Sequence, residues 1–448
     1  MFKKVLIANR GEIAVRIIRA CRELGIRTVA VFSTADRSSL HAQIADEAVC
    51  IGPADSLKSY LNIEAIISAC EITGADAIHP GFGFLSESAK FARVCRKCGI
   101  TFIGPSPESI EMLGNKAEAR KNMAKVGVPV IPGSDGPVLS AEDAVTCAES
   151  IGYPVLIKAS AGGGGRGIRM VNSSDEMNEQ YTAAKQEAYN YFGDDSVYIE
   201  KFIDSPRHIE MQIASDNFGN IIYLGERDCS IQRRHQKLIE ESPSPVMTEE
   251  FRKKMGEASL KAAKVSNYQN IGTVEYLVDK DKNFYFMEMN TRIQVEHPIT
   301  EFVTGVDLVK TQIRIAAGEE LKTEQNDICI RGHAIECRIN AESPEKNFRP
   351  CPGVISALHT PGGPGIRVDS AAYQGYTVTP YYDSMIAKLI VYGKSRDEAV
   401  AKMKWALSEF IVGGIDTNID FQLSLIKNNK FETGDYNNSF VDDLLKEK

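Results

Sequence analysis

Short apolar runs alternate with amphipathic helical stretches over the first hundred residues of the chain. Residues 5–8, 28–32, 77–79 and 101–103 have the apolar, β-rich character of buried strands. Between the first two of them, residues 12–24 place their apolar side chains on one face at helical spacing. Strands that alternate with helices in this way predict a parallel sheet covered by helices.

The pattern changes after residue 115. Residues 130–203 have the character of a small α/β insertion, which begins in a segment rich in proline and glycine. From residue 208 onward the chain favours antiparallel hairpins, with turns at 216–220 and 280–283. The last hundred residues combine strands at 353–359 and 385–392 with a helix near 397–411. We therefore predict a mixed α/β and α+β protein with units at 1–115, 116–330 (with a lid at 130–203) and 331–448.

Composition and charge narrow the class of protein. The chain has 448 residues, 43% of them apolar and 25% charged, with a net charge of −8. An acidic balance gives no reason to expect a nucleic-acid groove, and no apolar run approaches the ~18 residues of a membrane span. The ten cysteines are scattered, and no secretory leader precedes them. This pattern is typical of reduced thiols in the cytoplasm.

A glycine-rich segment at 162–165 lies between two apolar runs at 155–158 and Ile168–Val171. Glycines let backbone N–H groups approach phosphate oxygens closely, and Lys158 and Arg166 add positive charge beside them. A flexible hairpin tip is the alternative interpretation. A Walker A loop at 393–395 fails because its first glycine would fall at Lys388. NAD binding is not expected, because the first turn lacks the glycine fingerprint of dinucleotide sites.

A second hairpin, at 272–278 and Phe284–Asn290, carries acidic side chains. If 280–283 is a four-residue loop, Glu275 lies opposite Glu288, and Asn290 lies on the same face. Opposed carboxylates repel unless a cation lies between them, and hard oxygen ligands suit Mg²⁺ or Mn²⁺. A solvated polar face is the alternative, and a slip of one residue in register would defeat the prediction.

The segment after this hairpin contains an arginine and a glutamate that suit oxyanion chemistry. Read alone, Arg292 and Glu296 are an ordinary charge pair. Beside a nucleotide, a guanidinium can hold a planar oxyanion while a carboxylate accepts its proton. A cationic cluster at 233–237 follows another strand and is either a solvated charge run or a phosphate-binding group.

Five sequence strings, in this order, resemble the ATP-grasp superfamily and specifically its biotin carboxylase members. They are ANRGEIA at 8–14, HPGFGFLSE at 79–87, the glycine segment, EMNTRIQVEHP at 288–298 and YDSM at 382–385. The resemblance covers essentially the whole chain. It implies an ATP-grasp fold between an N-terminal Rossmann-like parallel sheet and a C-terminal mixed α/β domain.

The resemblance also implies a set of site residues. Those implied to bind ATP are Lys116, Lys158, Gly164, Gly165, Glu200, Lys201, Phe202, Ile203, His208, Gln232 and His235, with Glu275 and Glu288 toward the phosphates. The implied metal ligands are Glu275, Glu288 and Asn290. The implied bicarbonate and biotin residues are Lys237, Arg292, Gln294, Val295, Arg338 and Phe82, with Glu296 as the base. Phe82 stands where the family often has tyrosine, so a hydroxyl hydrogen bond near biotin is not expected.

The implied reaction is ATP- and Mg²⁺-dependent phosphorylation of bicarbonate to carboxyphosphate, followed by carboxylation of biotin. Met403-Lys404 is followed by Trp405 within a helical pattern rather than by a second methionine. Biotin is therefore expected on a separate carrier protein, with carboxyltransferase subunits completing the complex and the chain forming a homodimer. Acetyl-CoA carboxylase is the expected complex, with a pyruvate or other acyl-CoA carboxylase as the alternative.

Two rival functions remain at this point. A carbamoyl-phosphate synthetase-like ligase also makes carboxyphosphate, and stimulation of ATP hydrolysis by biotin would distinguish it. A nucleotide-sensing module without catalysis would be free to lose Arg292, Glu296 or Arg338, and all three are present.

Overall fold

The computed structural model of the protein describes residues 1–160 and 167–446. Its N-terminal unit is a parallel sheet of five strands in the order β3-β2-β1-β4-β5, which confirms the predicted architecture. The strands are β1 Lys4–Ile7, β2 Arg27–Ser33, β3 Glu47–Gly52, β4 Ala77–His79 and β5 Thr101–Phe102. The helices are α1 Gly11–Glu23, α2 Leu40–Ile44, α3 Ile63–Thr73, α4 Ala89–Lys97 and α5 Pro107–Gly114.

The insertion forms a small antiparallel sheet of order β7-β6-β8 with two helices packed on one face. It follows helix α6 Lys116–Lys125 and contains α7 Ala141–Ile151, β6 Val155–Ala159, β7 Ile168–Val171, α8 Ser174–Phe192 and β8 Val197–Lys201. Val155 and Ile157 are buried against the helices, whereas Ile168 and Met170 are 42% and 47% exposed. Gly164 and Gly165 lie outside the described residues.

A continuous sheet of eight strands forms the centre of the molecule, in the order β13-β12-β9-β10-β11-β14-β21-β19. Its first five strands are β9 Arg207–Ser215, β10 Ile221–Arg233, β11 Gln236–Ser242, β12 Asn270–Val278 and β13 Phe284–Asn290. Helices α9 Glu249–Val265, α10 His297–Thr304 and α11 Leu308–Ala316 accompany them. The sheet continues into strands beyond residue 330, so hydrogen bonds between β11 and β14 cross the predicted domain boundary.

The C-terminal unit completes this sheet and adds short strand pairs and helices. Its strands are β14 His333–Asn340, β15 Glu342–Ser343, β16 Arg349–Pro350, β17 Gly353–Val354, β18 Ala357–His359, β19 Ile366–Ser370, β20 Thr377–Val378, β21 Met385–Gly393 and β22 Ile411–Gly413. Its helices are α12 Arg396–Glu409, α13 Ile419–Ile426, α14 Asn429–Thr433 and α15 Phe440–Lys446. The single strand predicted at 353–359 is wrong, because two short strands with different partners occupy it.

The β12–β13 hairpin has the predicted pairing of Glu275 with Glu288, but its loop length and its ladder differ from the prediction. The loop has five residues rather than four, because Val278 rather than Asp279 pairs with Phe284. A bulge before Glu288 then shifts the register, so that Glu275 does pair with Glu288. Burial of Met287 beside Glu288 would be expected if the neighbouring apolar residues faced the core, but Met287 is 37% exposed.

Two further observations bear on membrane association and on the thiols. Among the helices of the described ranges, none is both long enough and apolar enough to cross a bilayer. All ten cysteines lie in the described residues and are free thiols. Cys95 is buried within α4, and Cys98 is exposed at its C-terminal end.

Candidate active site

A row of charged side chains crosses four adjacent strands of the large sheet. Arg227 on β10 pairs in register with Glu210 on β9, Glu210 with Glu275 on β12, and Glu275 with Glu288 on β13. Strand pairing therefore places three carboxylates side by side, and like charges in this arrangement repel. Arg227 is fully buried and donates from Nε to Glu210 Oε1 at 2.5 Å. The other end of the row, at Glu288, is one-third exposed.

Lys237 lies over this row and contacts three buried carboxylates. Its Nζ is 2.7 Å from Glu210 Oε2, 3.1 Å from Glu275 Oε1 and 2.6 Å from Glu296 Oε1. A tight hairpin at Arg234 and His235, both with positive φ, joins β10 to β11 and brings Lys237 back to this position. Burial alone would lower the pKa of Lys237, but Cys229 and the carboxylates raise it well above its ordinary value.

Glu296 is a fully buried carboxylate that is held in the ionised form. Its Oε1 accepts from Lys237 at 2.6 Å and its Oε2 from Arg338 Nη2 at 3.0 Å. Burial alone would raise the pKa of Glu296, but Lys237, Arg338 and Arg227 bring it well below the usual range. A carboxylate that stays ionised at neutral pH is in the form that a general base requires.

Arg292 lies beside Glu296 in the loop between β13 and α10. Its guanidinium donates to Glu87 Oε2 at 3.0 Å, to Gln294 Oε1 at 2.8 Å and to Asn290 Oδ1 at 3.1 Å. Gln294 in turn donates from Nε2 to Glu275 Oε1 at 2.9 Å. These bonds hold the guanidinium plane at the edge of the carboxylate row, where a planar anion can bind in bidentate fashion.

Arg338 approaches Glu296 from the C-terminal unit. Its guanidinium contacts Glu240 Oε1 at 2.5 Å as well as Glu296. Because β14 pairs with β11, Arg338 and Glu240 belong to the same sheet as Lys237. Phe82, by contrast, packs partly buried against the core around β1 and α1, and its carbonyl accepts from Asn9 Nδ2 at 2.8 Å. The Phe82 ring contact with biotin remains a prediction.

The predicted nucleotide residues are divided between the lid and the large sheet with its flanking helix α6. Lys116 begins α6, which Asn115 caps, and its Nζ is 2.8 Å from Glu288 Oε2. Lys158 on the lid forms an ion pair with Glu200. Lys201 donates to the carbonyls of Gly152 and Tyr153 at 2.8 and 3.1 Å, so this ammonium faces the lid backbone.

The remaining nucleotide residues lie on β9, in the β10–β11 hairpin and directly after β8. His208 Nε2 lies 3.0 Å from Glu275 Oε2. Burial alone would lower the pKa of His208, but Glu275 raises it above its ordinary value. Gln232 pairs with Lys237 across the β10–β11 hairpin, and His235 is exposed at the hairpin tip. Phe202 and Ile203 are partly buried where the lid rejoins the sheet.

The chemistry of the donor set fits a hard divalent cation. Glu275 and Glu288 supply opposed carboxylates, and Asn290 supplies an amide oxygen on the same face. Mg²⁺ in proteins usually keeps several water or phosphate oxygens among its ligands. The side chain of Glu288 is one-third exposed, so such ligands could reach a cation bound there. Asn290 Oδ1, the amide atom that can ligate a cation, accepts from Arg292 Nη2 at 3.1 Å, and Nδ2 is buried without a hydrogen-bond partner among the described residues.

Several residues of this site could not be identified as site residues from the sequence pattern. Glu210, Arg227 and Glu240 lie in strands where a single charge is unremarkable, and only the register between strands brings them together. Glu87 belongs to the HPGFGFLSE string, but its contact with Arg292 spans 205 residues of chain. Local pattern cannot reveal contacts of this range.

Three family models match the chain over most of its length. Residues 1–110 match the family model described as biotin carboxylase, N-terminal domain, and residues 336–443 match the biotin carboxylase C-terminal domain. Residues 115–324 match the model described as carbamoyl-phosphate synthase L chain, ATP binding domain.

Individual proteins are similar over nearly the full chain. Biotin carboxylase 1 of Bacillus subtilis is 58% identical over 99% of this chain and 98% of its own length. Among solved structures, the biotin carboxylase domain dimer of Hydrogenobacter thermophilus 2-oxoglutarate carboxylase superposes with a TM-score of 0.92 at 51% identity, covering 99% and 98% of the two chains. That structure holds MgADP, ADP and bicarbonate. The biotin carboxylase subunit of a pyruvate carboxylase superposes with a TM-score of 0.90 at 52% identity, covering 100% and 99% of the two chains.

Proposed function

The chain belongs to the biotin carboxylase family and is an ATP-dependent ligase, and from that premise we propose which residues carry out the carboxylation of biotin. ATP occupies the cleft between the lid and the large sheet. Lys116 and Lys158 bind its phosphates from opposite sides, and the exposed apolar side chains of Ile168 and Met170 supply a surface for the adenine. The lid closes over the nucleotide because water would hydrolyse carboxyphosphate.

Glu275, Glu288 and Asn290 would hold Mg²⁺ beside the phosphates. A bound Mg²⁺ neutralises charge on the transferred phosphoryl group. Lys237 keeps the neighbouring carboxylates in place, and its ammonium stabilises negative charge that develops on the phosphoryl oxygens.

Bicarbonate binds between the guanidinium of Arg292 and the carboxylate of Glu296. Glu296 accepts the bicarbonate proton, and the resulting oxyanion attacks the terminal phosphorus of ATP to give carboxyphosphate and ADP. Carboxyphosphate decomposes to CO₂ and phosphate, and the phosphate takes the ureido proton of biotin. Arg338, which shares Glu296 with Lys237, stabilises the biotin anion that attacks CO₂.

The observation that carries this proposal is the fully buried Glu296, held ionised by Lys237 and Arg338 at 2.6 and 3.0 Å. We expect Glu296→Gln to lower bicarbonate-dependent ATP hydrolysis by about 100-fold or more, since a positioned base contributes about 10²–10⁴-fold. Binding of ADP should change little. Glu250→Gln, at an exposed position of α9, is the matched control.

The same assay tests the reaction itself. Free biotin should stimulate ATP hydrolysis by the wild-type protein, and hydrolysis should need bicarbonate. Formation of carbamoyl phosphate from ammonia, without any effect of biotin, would instead support a carbamoyl-phosphate synthetase-like ligase. Unchanged activity in Glu296→Gln would contradict the role given to this residue.

The complex that the chain serves is a separate part of the proposal. We propose that it carboxylates a biotin carboxyl carrier protein in a cytoplasmic acetyl-CoA carboxylase, together with carboxyltransferase subunits. Relatives named simply biotin carboxylase support this choice, whereas the likeness to the biotin carboxylase subunit of a pyruvate carboxylase supports the alternative. Transfer of labelled carboxylate to purified carrier domains of the two complexes tests which is used.

A homodimer is proposed on the basis of the dimeric domain of the Hydrogenobacter 2-oxoglutarate carboxylase. Light scattering coupled to gel filtration should give twice the mass of the chain. A single-chain mass at micromolar concentration would contradict this proposal without affecting the active-site assignment.

A further inference from the structure

A lysine from the C-terminal unit reaches the loop that carries the catalytic base. Lys388 lies on β21, is fully buried, and donates from Nζ to the carbonyl of Val295 at 2.7 Å. Val295 directly precedes Glu296, so this hydrogen bond holds the peptide group that joins the two residues. The bond spans 93 residues of chain, and sequence reasoning gave Lys388 no role.

The charge of this ammonium is balanced by carboxylates from two other parts of the molecule. Glu12 Oε1 on α1 lies 3.2 Å from Nζ, and Asp369 Oδ2 on β19 lies 3.9 Å away. Burial alone would lower the pKa of Lys388, but Glu12, Glu336 and Asp369 raise it above its ordinary value. Lys388 is therefore an ammonium at neutral pH, at the junction of the N-terminal unit, the ATP-grasp unit and the C-terminal unit.

The geometry of a peptide group gives this contact a consequence for the site. The carbonyl and the N–H of a trans peptide point in opposite directions. With the Val295 carbonyl held by Lys388, the N–H of Glu296 is directed away from Lys388. In the described part of the chain, the N–H groups of Val295 and Glu296 have no hydrogen-bond acceptor. Both residues directly precede α10, and the N-terminal end of a helix favours an anion.

We propose that Lys388 is a positioning residue for bicarbonate. It fixes the Val295–Glu296 peptide so that the N–H of this peptide and the Glu296 carboxylate contact the same bound anion. This inference rests on the function proposed above, in which bicarbonate binds at Arg292 and Glu296. A carbonyl that accepts from an ammonium also polarises its own peptide group, which strengthens the N–H as a donor.

A purely structural role would be served as well or better by an apolar side chain. A buried ion pair is often no more stabilising than well-packed apolar residues of similar volume. Apart from the ion pair of Glu12 with Lys388, the carboxylate oxygens of Glu12 and Glu336 have no hydrogen-bond partner among the described residues. The surroundings of Lys388 are therefore costly in stability, which is consistent with selection for a function of the loop rather than for a stable core.

Kinetics of Lys388→Met, measured as bicarbonate-dependent ATP hydrolysis, test the proposal. Loss of a hydrogen bond from a charged donor should raise the KM for bicarbonate about tenfold or more. The KM for ATP and the affinity for ADP should stay within about twofold, because the nucleotide contacts lie on other strands. Lys402→Met is the control, because Lys402 also donates to backbone carbonyls of the C-terminal unit, those of Tyr392 and Pro364, away from the loop.

The double variant Glu12→Gln/Lys388→Met separates positioning from folding. Lys388→Met leaves the Glu12 carboxyl buried without its cation, so a lower melting temperature is expected, and the second substitution should restore part of it. If Lys388 positions the loop, the KM for bicarbonate stays high in the double variant. If that KM returns to the wild-type value together with the melting temperature, or never rises in Lys388→Met, the proposal is wrong.

These measurements distinguish failure of the positioning role of Lys388 from failure of the proposed function. Wild-type protein that hydrolyses ATP without any need for bicarbonate would refute the function itself. A bicarbonate-dependent wild-type protein with an unchanged Lys388→Met variant would refute only the positioning role.

Discussion

Replacement of Arg227 by methionine should destabilise the protein more than removal of any exposed charge. The guanidinium of Arg227 is fully buried and ends the row of three carboxylates. Besides its bond to Glu210, it donates to Gln212 Oε1 at 2.6 Å, to Thr300 Oγ1 at 2.9 Å and to Thr273 Oγ1 at 3.1 Å. Methionine fills most of the volume but makes none of these hydrogen bonds.

The expected loss of unfolding free energy is about 3–5 kcal/mol, which is typical when one partner of a buried ion pair is removed. Burial already raises the pKa of Glu210 even though Arg227 and Lys237 oppose the shift. Without Arg227 that pKa rises further. A carboxyl whose folded pKa lies above its unfolded value costs stability as pH rises from the unfolded to the folded pKa. Because Arg227→Met raises the folded pKa of Glu210 further, this cost keeps growing in the variant after it has levelled off in the wild type, so the loss should grow as pH rises.

Thermal and urea denaturation at several pH values measure this loss. Arg96→Met is the control, because Arg96 pairs with Glu108 at the surface with both side chains more than half exposed. Such an exposed pair contributes little to stability. The double variant Arg227→Met/Glu210→Gln should recover at least half of the lost stability. The reasoning is refuted if Arg227→Met costs no more than the control, or if its cost shrinks as pH rises.

Two further predictions concern the metal ligands and a buried carboxylate outside the site. Glu288→Gln should raise the Mg²⁺ concentration for half-maximal ATP hydrolysis by at least about tenfold, and an unchanged Mg²⁺ titration would contradict its role as a ligand. Burial alone would raise the pKa of Glu241, but His333 and Arg396 lower it to about 2. Glu241→Gln should therefore cost on the order of 3 kcal/mol at pH 7. That difference, followed by urea denaturation, should disappear as pH falls from about 5 toward 2, since a carboxyl with a lowered pKa stabilises only while ionised.

Four of the five strands of the N-terminal sheet, together with α1, followed from apolar periodicity, because that signal is local, whereas β3 was not predicted. The β12–β13 hairpin shows where local reasoning fails. The predicted loop was one residue too short, and the predicted ladder had no bulge, so the correct pairing of Glu275 with Glu288 resulted from two errors that cancel. Whether a bulge forms depends on how the hairpin packs against neighbouring strands, so the sequence of the two hairpin strands alone does not determine it.

The site residues also differ in whether a local sequence pattern could identify them. Arg292 and Glu296 could be selected from one short segment together with the family resemblance. Glu87, Glu240 and Lys388, which hold Arg292, Arg338 and the Val295 carbonyl, could not be selected, since each contact joins distant parts of the chain. Which residues hold Arg292, Arg338 and the Val295 carbonyl depends on the order of the strands in the sheet. That order is a property of the whole fold.

The ion pairs of the site imply that binding of the nucleotide and of the metal are coupled. Lys116 is paired with Glu288, so a phosphate that binds the Lys116 ammonium competes with that carboxylate. The carboxylate that is released is one of the proposed metal ligands. Nucleotide binding thus frees a ligand for Mg²⁺, and Mg²⁺ binding frees a cation for the nucleotide, so each must raise the affinity for the other by the same factor. Glu275 is tied to Lys237 in the same way, and Lys237 also holds Glu296. An exchange of partners at the metal end of the carboxylate row would therefore be transmitted, through the ammonium of Lys237, to Glu296, the proposed base for bicarbonate.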